Sequence, residues 1–189
     1  MKGTREQLEL VAALLGEQTT LSLATTGEDG EAWVAPLFYI ANILGEGPSL
    51  YWLSSQSSLH SLNLLRTPRA AATVYRNAGN SKEIRGVQMR GLVVGGVQTV
   101  DIVHSKEIRG VQMRGPVSRV IEPERRRALI KTYCERFKLG TVFRLAICQS
   151  ALYAFQPDFF RYIDNSISFG YKFELRRGPE GWSLTRPAG

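Results

Sequence analysis

The first apolar residues of the chain recur at helical spacing. Leu8, Val11, Ala12 and Leu15 lie three or four positions apart behind Thr4-Arg5-Glu6-Gln7, which has the form of a capping box, and Gly16 offers a stop. That spacing predicts an amphipathic helix. From Thr19 the period drops to two: TTLSLAT, a GEDG turn, EAWVAPLFYI and, after a loop with Gly and Pro, SLYWLS predict three consecutive antiparallel strands. Ser54-Ser55-Gln56-Ser57-Ser58 then brings side chains that cap helices. Leu59 to Arg66 has room for two helical turns, and Thr67-Pro68 ends them. Strand character returns in RAAATVYR, residues 69–76, and NAGN supplies a turn. Pro123, suited to a first helical turn, opens a second long helix through ALIKTYCERF. The remaining apolar runs, VFRLAICQS, ALYAFQP and Phe159 to Leu175, read as strands. Many short strands with a few helices between them predict a mainly β (α+β) antiparallel barrel with flanking helices.

Length and charge narrow this picture only a little. The 189 residues suffice for one well-buried core, so residues 1–189 are read as a single domain. No segment approaches the roughly 20 apolar residues of a membrane span. The first residues, MKGTREQLEL, carry charge where a secretory signal needs apolar side chains, which points to the cytoplasm. Cys134 and Cys148 lack metal-ligand spacing and are too few for a disulfide framework. A formal charge of +7 suits any anionic partner. Its distribution in twos and threes argues against nucleic acid, and the densest run, Arg125-Arg126-Arg127, lies in a helical pattern as a solvated face.

The eleven residues SKEIRGVQMRG occur twice without a change, at Ser81 to Gly91 and at Ser105 to Gly115, with a period of 24 residues. One perfect pair is not a solenoid, which needs about three or more units to bury a continuous core. A recent local duplication, or an error in the recorded sequence, explains it better. Two identical strands compete for one place in a sheet, because the same alternation satisfies the same register. The second copy runs directly into PVSRVIEPERRR and the long helix and is therefore expected in the barrel wall. The first copy and LVVGGVQTVDIVH would then form an extra hairpin turning at Gly95-Gly96, making residues near 92–115 an inserted or duplicated segment. The opposite assignment remains open.

LSLATTGEDGEAWVAPLFYI, LYWLSSQSSLHSLNLLRTPRAAATVY, IRGVQMRGPV and IDNSISFGYK, in this order and spacing, resemble the flavin-binding split-barrel family that includes pyridoxamine 5'-phosphate oxidase. The RGVQ-x-x-G and DN-x-x-x-FG pieces point to a bacterial branch of it. The resemblance implies an antiparallel split β-barrel and a homodimer with FMN in a groove between the subunits. It also implies that Ala35, Pro36, Leu37 and Phe38 form the strand along the isoalloxazine ring, and that Ser54, Ser58 and His60 hold the phosphate. Helix amino-terminal N–H groups favour an anion at that place whatever the side chains. The vitamin-oxidising members carry Arg in the flavin strand and Lys in the phosphate loop, where this chain has Ala35 and His60. It also has no counterpart of their carboxy-terminal Arg-Leu-His motif, so pyridoxamine phosphate is not the expected substrate.

Beyond the phosphate residues, Gln112 (or Gln88, if the first copy occupies the wall) could bond the polar edge of the flavin or serve in a cross-strand pair. Lys172, beside Asp164-Asn165 and Phe169-Gly170, could neutralise an anionic substrate or be a solvated lysine. His60 itself could be a surface histidine. Trp33, Trp52 and Phe38 are read as packing residues, and His104 falls in the inserted segment. The sequence shows no nucleophile with a base at a recognisable spacing and no metal cluster, so no catalytic residue is assigned. This accords with a flavoprotein, whose cofactor carries the redox chemistry. Two function classes emerge: an FMN-dependent oxidoreductase acting on a small molecule, or a binding protein of the same fold that holds flavin, haem or a deazaflavin without turnover. Deleting Leu92 to Gly115 regenerates IRGVQMRGPV, and the product should be folded, dimeric and flavin-binding. Size-exclusion chromatography with an absorption spectrum checks this, and an aggregated or monomeric product would contradict it.

Overall fold

The computed structural model describes residues 2–42, 47–76, 109–140, 147, 149–164, 166–168 and 171–186. The element order is α1 (Lys2–Glu17), β1 (Thr20–Thr26), β2 (Ala32–Phe38), β3 (Ile40–Asn42), β4 (Ser49–Ser54), α2 (Leu59–Arg66), β5 (Arg69–Tyr75), β6 (Arg109–Arg119), α3 (Pro123–Phe137), β7 (Ala151–Phe155), β8 (Phe159–Asp164), β9 (Lys172–Gly178) and β10 (Gly181–Arg186). All described strand pairs are antiparallel. The order β10-β9-β8-β6-β5-β1-β2 forms a curled sheet, and β3-β4-β7 branches from it through β6. Among the described residues no helix is long and apolar enough to cross a membrane.

Alternation decides which face of each strand meets the core. Leu21 and Leu23 of β1, Ala72 and Val74 of β5, Val111 and Met113 of β6, and Phe160 and Tyr162 of β8 all point inward and are buried. α1 contributes Val11, Leu14 and Leu15 to the same core. A second cluster lies where α3 covers the small sheet, with Tyr133 against Ile40, Tyr51, Leu152 and Ala154. β7 is buried along its whole length because its two faces serve the two clusters.

The second copy of the repeat supplies β6, the strand that joins the two parts of the sheet. Its first half pairs β5 and β8, and Val117, Ser118 and Arg119 pair β7. At the crossover the turn after β7 is tied to β6 on both sides of Gly115, since Gln156 N–H donates to the Pro116 carbonyl and Asp158 N–H to the Arg114 carbonyl. A Cβ at Gly115 would collide with the Gln156 carbonyl oxygen and come within 2.7 Å of Pro157 Cα. The other end of β6 is held by charge. Arg109 Nε donates to Tyr162 Oη at 2.8 Å and pairs with Asp164 at 3.3 Å, and its Nη1 reaches Glu17 at 3.3 Å. Burial opposes the charge on Asp164, but hydrogen bonds from Ser166 and Tyr162 and the nearby Arg109 guanidinium hold its carboxyl below the usual range.

Several sequence expectations need correction. α1 begins at Lys2, so Thr4 lies inside the helix and the capping box does not form; Gln7 Oε1 is buried without a partner instead of reaching back to a cap. The helix also runs through Gly16 to Glu17. In the run VFRLAICQS, Ile147 and Gln149 are helical, because sheet pairing begins only at Ala151; short apolar runs do not distinguish the two states. β10, unforeseen, returns from a Gly181 turn to stack Trp182 on Phe160 at 4.8 Å. Trp52 is fully buried against Tyr153 as expected, whereas Phe38 is 57% exposed and touches Phe137 at 5.2 Å. The first repeat copy, the proposed extra hairpin, His104, Cys148, Asn165 and Phe169-Gly170 lie outside the described residues.

Gly115→Ala should lower stability by about 1–3 kcal/mol, because the methyl group meets backbone that is itself hydrogen-bonded and cannot yield cheaply. A melting curve should fall by several degrees relative to wild type, and an unchanged midpoint would contradict the close approach.

Candidate functional site

The candidate site forms where β4 ends and α2 begins. Leu59 to Arg66 is the second apolar and polar helical stretch of the chain, and Ser58 occupies its N-cap position with extended backbone. Its hydroxyl does not cap, however, and accordingly leaves the first-turn N–H groups of α2 without a side-chain acceptor. Instead Ser58 Oγ lies 2.8 Å from the Ser55 carbonyl, 2.9 Å from Ser61 Oγ, 3.1 Å from Ser54 Oγ and 3.0 Å from His60 Nε2. His60 Nε2 is held more closely by Ser54 Oγ, at 2.6 Å. One hydroxyl proton cannot serve four neighbours, so the cluster is a set of donors that can turn toward a new acceptor.

A cleft of about 180 Å³ opens beside this cluster, lined by Thr25, Trp33, Val34, Ala35, Ser58, Leu59 and His60. Its back wall is anchored by Asn63, which is buried and donates from Nδ2 to Thr25 Oγ1 at 3.1 Å, while its Oδ1 has no partner. Of the lining residues Val34 and Leu59 are exposed, as are Leu62 and Leu65 farther along α2. Burial lowers the pKa of His60 below its ordinary 6.5. An imidazole so shifted favours its neutral form at pH 7.

The structure brings some of the expected residues together and separates others. Ala35, Ser58 and His60 line the cleft, and Ser54 backs it through its bond to His60. Pro36 and Phe38 sit on the same edge strand β2 but point outward, while Leu37 leans inward against the core. Gln112 is exposed on β6, in the cross-strand row Pro36, Ser22, Thr73, Gln112, which places it about 14 Å from β2 by strand spacing. Lys172 is half-buried on β9, farther along the sheet. Sequence reasoning missed Thr25, Ser61 and Asn63. The only signal for the last two was polar residues on the inner face of an otherwise leucine-rich helix. Among the described residues no group of three His, Cys, Asp or Glu side chains can hold a metal ion.

FMN fits this chain at its phosphate end: hydroxyls, an imidazole and uncapped N–H groups converge on one small cleft. The cleft is too small for the whole cofactor, since ligand pockets run to about 300–1,000 Å³. A flavin ring would need the exposed edge of β2 and a second surface opposite it.

Comparisons with known proteins agree with this architecture. Residues 8–142 match the family described as Pyridoxamine 5'-phosphate oxidase. A UPF0306 protein of Photorhabdus laumondii is 25% identical over 173 residues, covering 91% of this chain and 97% of its own length. A pyridoxamine 5'-phosphate oxidase-related, FMN binding protein of Nostoc punctiforme superposes with a TM-score of 0.62 at 13% identity, over 98% of this chain and 96% of that one. HutZ, the heme storage protein of Vibrio cholerae, superposes with a TM-score of 0.54 at 19% identity, over 78% of this chain and 87% of its own. At these identities the two solved structures share the fold.

The His60 ring should titrate below pH 6.5 in flavin-free protein, as read by NMR with His60→Asn to assign the signal. The sign for stability comes from the depressed folded-state pKa. The unfolded chain binds the proton more tightly, so the stability is present above pH 6.5 and is lost as pH falls through the folded value. His60→Asn should flatten that segment of the stability profile, and an imidazole titrating above 6.5 would contradict the burial argument.

Proposed function

Because the chain belongs to the pyridoxamine 5'-phosphate oxidase family, we propose that it is an FMN-binding oxidoreductase acting on a small molecule other than pyridoxamine phosphate. The observation that carries this reading is the cluster of Ser54, Ser58, Ser61 and His60 at the uncapped start of α2, open to a cleft beside β2. The phosphate would be bound by the serine hydroxyls, His60 and the first-turn N–H groups, with the helix dipole favouring the negative charge. Ala35 and its neighbours Pro36, Leu37 and Phe38 would support the rest of the cofactor along the β2 edge. Gln112 and Lys172 would act from the outward sheet face, on the flavin's polar edge and on an anionic substrate. Bound FMN would supply two-electron hydride chemistry, for which the chain needs no nucleophile of its own.

The cleft's size argues for an assembly. A second copy of the chain, seated on the apolar patch of Val34, Leu59, Leu62 and Leu65, would complete the groove and exclude water from it. Haem is the second reading, since the family fold also serves a heme storage protein. Against it, His60 is the only imidazole among the described residues, and its Nε2 is already held by two serine hydroxyls.

Freshly purified protein should carry FMN, recognised by its near-ultraviolet and blue absorption and by its release on denaturation. A phosphate dianion favours the imidazolium, so binding takes up a proton at His60 and FMN affinity should fall as pH rises. His60→Ala should weaken FMN about tenfold to a hundredfold, and riboflavin, which lacks the phosphate, by much less. A fluorescence titration of both flavins between about pH 5.5 and 8.5 brackets the imidazole and checks this. Colourless protein that takes up no added FMN, or a haem spectrum, would overturn the flavin reading.

A further inference from the structure

The densest basic run of the chain, Arg125-Arg126-Arg127, is not wholly a solvated face. Where α3 covers the small sheet, two of the three arginines turn back onto it. Arg126 Nη2 donates to the Ser150 carbonyl at 2.9 Å, and Arg125 Nη2 to Tyr51 Oη at 3.0 Å. A cleft of about 220 Å³ opens beside Arg125, where β4 begins and β7 ends; Asn42, Tyr51, Gln156, Arg177 and Trp182 line it as well. Its walls are tied together by backbone. The Arg177 N–H donates to the Asp158 carbonyl at 2.9 Å, which joins β9 to the turn that carries Gln156. At Gly47, where φ is +145°, the chain comes so near the indole that a Cβ would lie 2.5 Å from Trp182 Nε1.

Two guanidiniums, two carboxamides, a phenol and an indole line one small space, all of them donors, and among the described residues no Asp or Glu lines it. Tyr51 makes the need for an acceptor specific. Its side chain is 2% exposed and its hydroxyl accepts from Arg125, so its own O–H is left without an acceptor among the described residues. A buried hydroxyl hydrogen in that state costs free energy until an acceptor enters the cleft. Glu122, at the start of α3, does not supply one: its carboxylate caps the helix, accepting from the Glu124 and Arg125 N–H groups.

We propose that this cleft binds a short dicarboxylate, one carboxylate taken by Arg125 with Tyr51 and the other by Arg177. A guanidinium fork matches the plane of a carboxylate, and the two forks come from different elements, α3 and β9. A water takes up about 30 Å³, so the cleft has room for about seven of them or for about eight non-hydrogen atoms, the size of a four-carbon dicarboxylate. A single phosphate is smaller and would engage one fork only. Ser49 opens β4 and Ser54 closes it, which sets this cleft about 16 Å by strand rise from the serine cluster. It does not depend on flavin being bound.

Isothermal titration of the protein with succinate, with butyrate and inorganic phosphate as comparisons, tests the proposal. Succinate should bind, and butyrate and phosphate about tenfold or more weakly. Arg125→Gln and Arg177→Gln should each weaken succinate about tenfold or more, and Tyr51→Phe, which keeps the ring, about fivefold. Arg125→Lys and Arg177→Lys, which keep the charge and lose the fork, should fall between wild type and the glutamine variants, and they carry the test if a glutamine variant does not fold. Wild-type protein that binds no succinate, affinity unaltered in the arginine variants, phosphate bound as tightly as succinate, or binding abolished by His60→Ala alone would overturn the proposal. Protein that binds succinate through these arginines yet takes up no FMN would sustain it while removing the flavin reading.

Discussion

The crossover at Gly115 is the constraint on which the two parts of the sheet depend. β6 is the only described strand that pairs in both, and it passes from one to the other where the backbone of Gln156-Pro157-Asp158 lies against it with no room for a side chain. The two hydrogen bonds flanking Gly115 fix that approach. With β6 fixed, β5 and β8 take their registers from it, β1 and β2 extend the sheet on one side, and β9 and β10 on the other. The cleft at α2 and the Gln156-Pro157 wall of the second cleft are thus positioned by one strand.

The two copies of the repeat are told apart by their continuations. Arg109, Val111, Met113 and Gly115 are matched residue for residue in the first copy, so neither the ionic contacts to Tyr162 and Asp164 nor the core contacts distinguish the two. The segment beyond Gly115 does distinguish them. Val117 N–H bonds the Pro68 carbonyl and Val120 N–H the Leu152 carbonyl, and Pro123 opens α3 three residues later. The first copy instead continues into Leu92-Val93-Val94-Gly95 and reaches α3 only after a further 24 residues. Chain connectivity, not side-chain preference, selects the strand.

The cleft shows how weak individual groups combine. A neutral hydroxyl contributes about 1 kcal/mol, and a buried imidazole resists its charge. Placed together at a helix start whose own cap is unused, they would, in the proposed reading, bind an anion better than any member alone, because the hydroxyls can turn their protons to it and it favours the charged imidazole. In that reading, an imidazole at His60, where the vitamin-oxidising members carry a permanently charged lysine, would make the site sensitive to pH.

The sequence by itself determined most of the element types, with the run VFRLAICQS and β10 as exceptions, because alternation and breaker signals are local: the bounds of α2 and the start of α3 stand where Pro68, Ser58 and Pro123 place them. It also determined the family likeness and the Ser54, Ser58, His60 group, whose members are close along the chain. The tertiary structure decided what depends on distant segments. It showed that Trp33, Val34 and Ala35 line the cleft while Pro36 and Phe38 lie beyond it on the exposed side, since only the fold says which part of β2 meets α2. It brought Thr25 against Asn63 across 38 positions, and Arg114 and Arg176 onto Phe159 from three strands. Register between strands carries that information, and register is fixed by the packing of the whole sheet rather than by any one stretch of sequence.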